Sequence, residues 1–134
     1  MLFTIYGFNN RLYTDWWLDD VYASITDTLL NRGSGSIAKR IYIDKDCYLK
    51  SIGVISDSAR TSGTLTVEIA PNGNLDWGSV TAVLDSTNTT MGIGAATRGT
   101  YYFASGTYFE ITVTTSSDWL PVTADIIAWI ELEY

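Results

Sequence analysis

The chain contains no histidine, and that absence removes more chemistry than any motif in it supplies. Imidazole is the commonest general base, the commonest metal ligand and the usual partner of a serine or cysteine nucleophile, so most hydrolase mechanisms lose their central residue. Cysteine is nearly as scarce. Cys47 stands alone among 134 residues, which rules out an internal disulfide framework and a four-cysteine zinc site. It reads as a small buried apolar residue, with a reactive thiol as the alternative. Lysine occurs only at Lys39, Lys45 and Lys50, and the net charge is −7. An acidic surface of this kind repels phosphate backbones, so no nucleic-acid partner is expected. No apolar run approaches the ~20 residues of a membrane span, so a soluble chain with no membrane partner is expected. The opening Met1 to Phe8 is apolar, but it lacks a basic leading region and runs into Asn9, Asn10 and Arg11, which makes a poor signal peptide. Without a secretory signal, Asn88-Thr89-Thr90 reads as a polar turn rather than a glycosylation acceptor.

What the chain has in quantity is β pattern. Ser36 to Ile43 alternates Ile37, Lys39, Ile41 and Ile43 against Ala38, Arg40 and Tyr42, and Asp44-Lys45-Asp46 turns it into a strand over Cys47 to Ser56. After a polar loop at residues 57–63, Leu65, Val67 and Ile69 face one way and Thr64, Thr66 and Glu68 the other. Pro71-Asn72-Gly73-Asn74 is a turn, because proline fixes φ and Asn-Gly tolerates positive φ. A strand over Ser79 to Asp85 follows, then a weakly patterned, threonine-rich stretch from Ser86 to Ala96 that reads as a mobile connection between sheets. Thr97 to Ala104 and Thr107 to Thr115 read as two strands, the second with Phe109, Ile111 and Val113 inward and Tyr108, Glu110, Thr112 and Thr114 outward. In the closing strand, Ala124, Ile126, Ala128, Ile130, Leu132 and Tyr134 share one face, while Asp125, Ile127, Trp129, Glu131 and Glu133 share the other. Roughly seven or eight strands separated by turn signals predict an all-β antiparallel sandwich of jelly-roll or Greek-key type.

Residues 1–35 read differently, as an N-terminal arm and hinge beside a sandwich domain over residues 36–134. Leu18, Val21, Tyr22, Ile25 and Leu29 lie at helical spacing behind Thr14, a candidate N-cap, with Asp15, Asp19 and Asp20 in the first turns. A short helix is preferred there. The rival is a strand, since Val21, Ala23, Ile25 and Leu29 also alternate. Asn31 to Ser36, with two glycines and two serines, is the hinge. An arm carrying Trp16-Trp17 needs something to pack on, either its own domain or a neighbouring subunit.

Candidate chemistry is sparse. Glu68, Glu110, Glu131 and Glu133 are formally available to a two-carboxylate glycosidase, but the alternation puts all four on the outer faces, where acids are ordinarily solvated. No catalytic residue is assigned and the chain is not expected to be an enzyme. Calcium is the one plausible metal, yet Asp44-Lys45-Asp46 and Asp19-Asp20 do not form a loop of alternating ligands, so no metal or cofactor is expected. Met91-Gly-Ile-Gly lacks the Lys-Ser/Thr and strand-to-helix setting of a phosphate loop. Aromatics remain. Trp77, Tyr101, Tyr102, Trp119 and Trp129 are candidates for core filling, for an interface, or for a sugar-stacking platform. Because Ile127 and Trp129 point away from the core face of the closing strand, they join Trp16 and Trp17 as the candidate protein–protein interface.

The run Ile37 to Ile55, then Gly63-Thr-Leu-Thr-Val-Glu-Ile69, then Ala124 to Tyr134 resembles the small β-sandwich proteins of tailed-bacteriophage virions, closest in style to capsid decoration or cement proteins. The resemblance covers residues 36–134 and carries no catalytic residues. It implies a subunit that forms a homo-oligomer, often a trimer, and binds the major capsid protein on the outer capsid surface of a virion assembled in the host cytoplasm. A carbohydrate-binding or receptor-binding module and a head fibre or tail accessory subunit are the alternatives.

Overall fold

The computed structural model describes residues 11–33 and 39–134. Among them run ten strands: β1 (Arg11–Leu18), β2 (Thr28–Leu29), β3 (Ile41–Tyr42), β4 (Cys47–Ser56), β5 (Leu65–Pro71), β6 (Thr81–Leu84), β7 (Met91–Ala95), β8 (Tyr102–Phe103), β9 (Tyr108–Thr115) and β10 (Ile126–Glu133). They form two antiparallel sheets packed face to face. The first has the order β1-β10-β4-β7, with β8 added to β4; the second has β2-β9-β5-β6, with β3 added to β9. With β3 and β8 set aside, every step along the chain from β1 to β10 passes from one sheet to the other except β5 to β6. That interleaving is the jelly roll. The strands number ten rather than seven or eight because β1 and β2 lie in the segment read as an arm and β7 in the stretch read as a connection.

Alternation puts one face of each sheet into a common core. Leu12, Trp16, Leu49, Ile52, Val54, Ile126, Ile130 and Leu132 from the first sheet meet Leu65, Val67, Ile69, Leu84, Phe109, Ile111 and Val113 from the second, all buried. Each such side chain contributes about 1.5–3 kcal/mol relative to exposure. The two largest are indoles, and both have partners for their N–H: Trp16 donates to the Lys39 carbonyl at 2.8 Å and Trp119 to the Val21 carbonyl at 3.0 Å. On the outer side of β9, Glu110 and Thr112 face outward as expected but are buried, Glu110 beside the Arg40 guanidinium at 3.8 Å.

The first segment departs most from its reading. Residues 11–33 are part of the sandwich rather than an arm hinged to it, and they hold no helix among the described residues. β1 pairs with β10 along its whole length, from Arg11 opposite Glu133 to Leu18 opposite Ile126. Its inward residues are Leu12, Thr14 and Trp16. The chain then crosses to the second sheet through Asp20, Ser24 and Asp27, each with φ between 46° and 58°, a conformation no helix continues through. Backbone bonds from Val21 to Ala124 and from Ser24 to Ser116 tie the crossing to the far end of the molecule, and β2 pairs with β9. Residues 1–10 of the expected arm and residues 34–36 of the hinge lie outside the described residues.

Two strands of the reading shrink and one loop becomes a strand. Of Ser36 to Ile43, residues 36–38 lie outside the described residues and only Ile41–Tyr42 pairs, with β9. Of Thr97 to Ala104, only Tyr102–Phe103 pairs, with β4. Conversely, Ser86 to Ala96 contains β7, which pairs with β4 from Met91 opposite Ile55 to Ala95 opposite Ser51.

Deleting residues 1–32 removes a full edge strand and Trp16 from the core, so the truncated chain should lose its cooperative urea transition and its native β-type circular dichroism. A truncated chain that keeps both would restore the arm. The point change Trp16→Ala should lower stability by about 3–5 kcal/mol, read from the shift in denaturation midpoint.

Candidate docking face

The outer face of the first sheet is built around β10, which lies between β1 and β4. Register fixes what shares each row across the strands. Trp17 is opposite Ile127, Ile127 opposite Ile55, and Ile55 opposite Met91. Four strands thus place four large apolar side chains side by side, at 43%, 46%, 43% and 49% exposure. The next row is Asp15, Trp129, Gly53 and Ile93, of which Ile93 is 59% exposed. Asp15 apart, the two rows form an apolar patch, larger than scattered surface hydrophobics and of the kind that marks a contact surface.

Trp129 lies flat over Gly53. A Cβ built on that glycine would be 2.1 Å from Cζ2 of the indole, so only glycine leaves room for the ring. Tyr13 flanks the indole from β1 with ring centroids 6.2 Å apart. Held this way, Trp129 is half-buried while Ile127 stands proud.

Charge divides the face along its length. Beyond the apolar row, Asp19, Asp57 and Asp125 join Trp17, Ile55 and Ile127 in lining a groove of about 440 Å³. At the opposite end Arg11, Lys50 and Arg98 line a concavity of about 640 Å³ with Glu133. Glu131 receives Arg11 at 3.3 Å and Lys50 at 3.6 Å, and Glu133 receives Arg98 at 2.9 Å. Lys50 reaches this face because of a bulge. Ser51 is opposite Glu131 but Leu49 is opposite Leu132, so Lys50 is the extra residue, and bulges re-aim side chains in this way.

Of the four expected interface residues, the structure brings Trp17, Ile127 and Trp129 together on one face. Trp16 is not among them. Being one residue out of phase with Trp17 it points inward, at 1% exposure, and its indole is a core element. Ile55, Met91 and Ile93 also belong to the face, beyond the four residues expected from sequence. Ile55 was legible, since Ile52, Val54 and Ser56 run inward and leave it outward. Met91 and Ile93 were not, because their segment read as a loop.

No family model matches this chain, and no curated protein matches it.

The sugar-stacking set does not assemble. Trp119 is in the core, Trp77 is half-buried with its ring edge-on to Tyr101 at 5.4 Å, and Trp129 lies on the opposite side of β4 from the core. Tyr101 and Tyr102 split as strand geometry requires, the first toward Trp77 and the second exposed beside Tyr48 at 5.7 Å. Nor do the four glutamates gather: Glu68 and Glu110 are on the second sheet, Glu131 and Glu133 on the first. Burial pushes the Glu68 carboxyl upward, with Asp27 adding to the shift. Asp46 caps the turn before β9 by accepting from the Ser105 N–H at 2.8 Å, and Asp125 accepts from the Asp20 N–H at 2.9 Å. Among the described residues no cluster of three or more acidic or cysteine side chains is placed to hold a metal.

Two outcomes are expected. Gly53→Ala should cost about 1–3 kcal/mol by forcing the indole off its seat. In a Trp129→Ala background the same change should cost less than about 0.5 kcal/mol, a coupling that a double-mutant cycle in denaturant measures. Cys47, buried at the start of β4, has its thiol pushed up to about 12 from an ordinary 9.0, first by burial and then by Asp46. Its folded form therefore holds the proton that the unfolded form releases, so its share of stability is complete below about pH 9 and is lost as pH rises towards 12. A thiol reagent at pH 8 should label Cys47 only once the protein is unfolded.

Proposed function

We propose that this chain is a non-enzymatic structural subunit of a virion, of the capsid decoration or cement type, which oligomerises and binds the major capsid protein at the outer capsid surface. The observation that carries the reading is the row Trp17, Ile127, Ile55 and Met91, exposed across four strands of a rigid sheet. A large apolar surface on a β-sandwich is costly to leave in water unless something covers it, and here it is bordered by charge that would orient what docks. Jelly rolls recur in capsid and lectin domains. The scattering of the tryptophans over core and separate faces favours the first setting over the second. Fold alone does not assign function, so the docking face and the likeness of strands β3 to β5 and β10 to virion sandwich proteins support the proposal together. A head fibre or tail accessory subunit would use the same face on a different virion surface.

Virions purified from the phage that encodes the chain should contain it in multiple copies per capsid, released by mild denaturant before the shell opens. Added back to stripped particles, the wild type should rebind and raise their thermal rupture temperature. Ile127→Asp with Ile55→Asp should lose rebinding while keeping its circular dichroism. Absence of the chain from purified particles would overturn the proposal, and localisation to fibres or tails would select the accessory reading.

A further inference from the structure

We infer that the paired-charge end of the outer face is a binding site for a neutral saccharide, separate from the apolar rows and independent of what docks on them. The site begins as an interruption in the sheet. β7 and β8 pair with the same edge of β4, β7 ending at Ala95 opposite Ser51 and β8 starting at Tyr102 opposite Tyr48. Lys50 is bulged between those two points, and residues 96–101 leave the ladder there. Both ends of that excursion stay fixed on β4: the Ala96 N–H donates to the Lys50 carbonyl and the Leu49 N–H to the Tyr101 carbonyl, each at 2.9 Å. A bond from the Thr100 N–H to the Thr97 carbonyl at 3.1 Å closes the turn that carries Arg98. Beside this turn lie the concavity of about 640 Å³ and a smaller hollow of about 190 Å³, and Arg98, Glu133 and Tyr134 line both. The larger volume is within the range of small-ligand sites.

The groups around the hollow select the ligand. Glu131 holds Arg11 and Lys50, and Glu133 holds Arg98. A phosphate or other small anion would therefore meet two carboxylates where it met the cations. Pairing does not exhaust these groups, because a guanidinium carries several N–H donors and a carboxylate several acceptor positions, and Arg98 is 86% exposed. Spare donors and spare acceptors thus stand side by side. A hydroxyl both donates and accepts, so vicinal hydroxyls on an uncharged ring match that set. Register adds aromatic surface on the same side of the sheet: Arg11 is opposite Glu133, Glu133 opposite Tyr48, and Tyr48 opposite Tyr102. Tyr48 and Tyr102 are both exposed, their rings edge-on with centroids 5.7 Å apart, and Tyr48 also lines the smaller hollow. Rings with an apolar body and a polar tip suit the C–H face of a pyranose. Among the described residues the aliphatic lining of the concavity is Ala95 and Ala96, too little to seat the apolar side chains of a peptide. None of the tryptophans takes part.

Amide NMR tests the site, with neutral trisaccharides of glucose, galactose, mannose and N-acetylglucosamine as probes at millimolar concentration. At least one probe should shift the amides of Lys50, Ser51, Glu133 and residues 95–99 and leave those of Ile55, Met91 and Ile127 in place. Arg98→Ala and Tyr48→Ala, both changes at exposed positions, should each weaken that binding about fivefold or more. Circular dichroism on each variant keeps a folding defect from passing as loss of the site. Ile127→Asp with Ile55→Asp should bind the sugar as the wild type does, so failure of the capsid reading and failure of the sugar site are separate results. No shift with any probe would overturn the inference. So would shifts centred on the apolar rows, or Arg98→Ala and Tyr48→Ala variants that bind like the wild type. Binding confined to sulfated or sialylated trisaccharides and lost in high salt would overturn it as well, because the site would then be selecting charge.

Discussion

The position of β10 between β1 and β4 governs the molecule. That strand joins chain segments more than a hundred residues apart, since Arg11 pairs with Glu133 and Leu18 with Ile126, and its other edge carries Tyr48 to Ser56. Its inward residues, Ile126, Ala128, Ile130 and Leu132, fill the centre of the core. A slip of one residue would send all four to solvent and bring Trp129 and the two glutamates inside, so burial fixes the register. Once the register is fixed, the outward side has no freedom left. Trp17, Ile127, Ile55 and Met91 must form a row, and Glu131 must sit between Arg11 and Lys50.

Glycine supplies a second constraint, at the side where the sandwich closes. On β7, a Cβ at Gly92 would be 2.2 Å from the Val83 carbonyl oxygen and one at Gly94 would be 2.1 Å from that of Thr81. The edge of the first sheet therefore lies against the backbone of β6 in the second, closer than any side chain permits. This approach covers two edges that would otherwise be open to pairing with other chains. At the other edge of the first sheet, Asn31 exchanges backbone hydrogen bonds with Trp17 at 2.8 and 2.9 Å, and Arg32 bonds to Thr14 and the Asp15 carbonyl. These bonds cover the Thr14 to Trp17 part of that edge.

The same glycines explain why part of the fold could be read in advance and part could not. Strands with polar residues on the outer face show their alternation openly, as in Leu65, Val67 and Ile69 or Phe109, Ile111 and Val113. In β7 the inward positions are glycines, so its sequence has no inward hydrophobic set to see, and Met91 and Ile93 are its outward residues. The first segment failed for another reason. Leu18, Val21, Ile25 and Leu29 happen to fit a helical period, and nothing local reveals that Asp20, Ser24 and Asp27 take positive φ. Those conformations are imposed by the crossing between sheets, through bonds to residues near the other end of the chain. Trp16 and Trp17 show how much one residue of phase matters. One ring packs in the core and the other is exposed on the outer face.

The bulge at Lys50 links this register to the character of the face. Inward residues on β4 are Cys47 and Leu49 before it and Ile52, Val54 and Ser56 after it, an odd-to-even change that is visible in the sequence. Without the extra residue Lys50 would be directed at the core, where an unpaired ammonium cannot be accommodated. With it, the lysine joins Arg11 at Glu131, and that end of the face becomes a cluster of paired charges. At the other limit of the same strand Asp57 begins the loop and accepts from the Asp125 N–H at 2.9 Å. One strand thereby contributes to both ends of the face, with Ile55 between them. The two ends therefore differ in kind, carboxylates at one and a paired cluster of cations and glutamates at the other, so the apolar rows have a different border on each side.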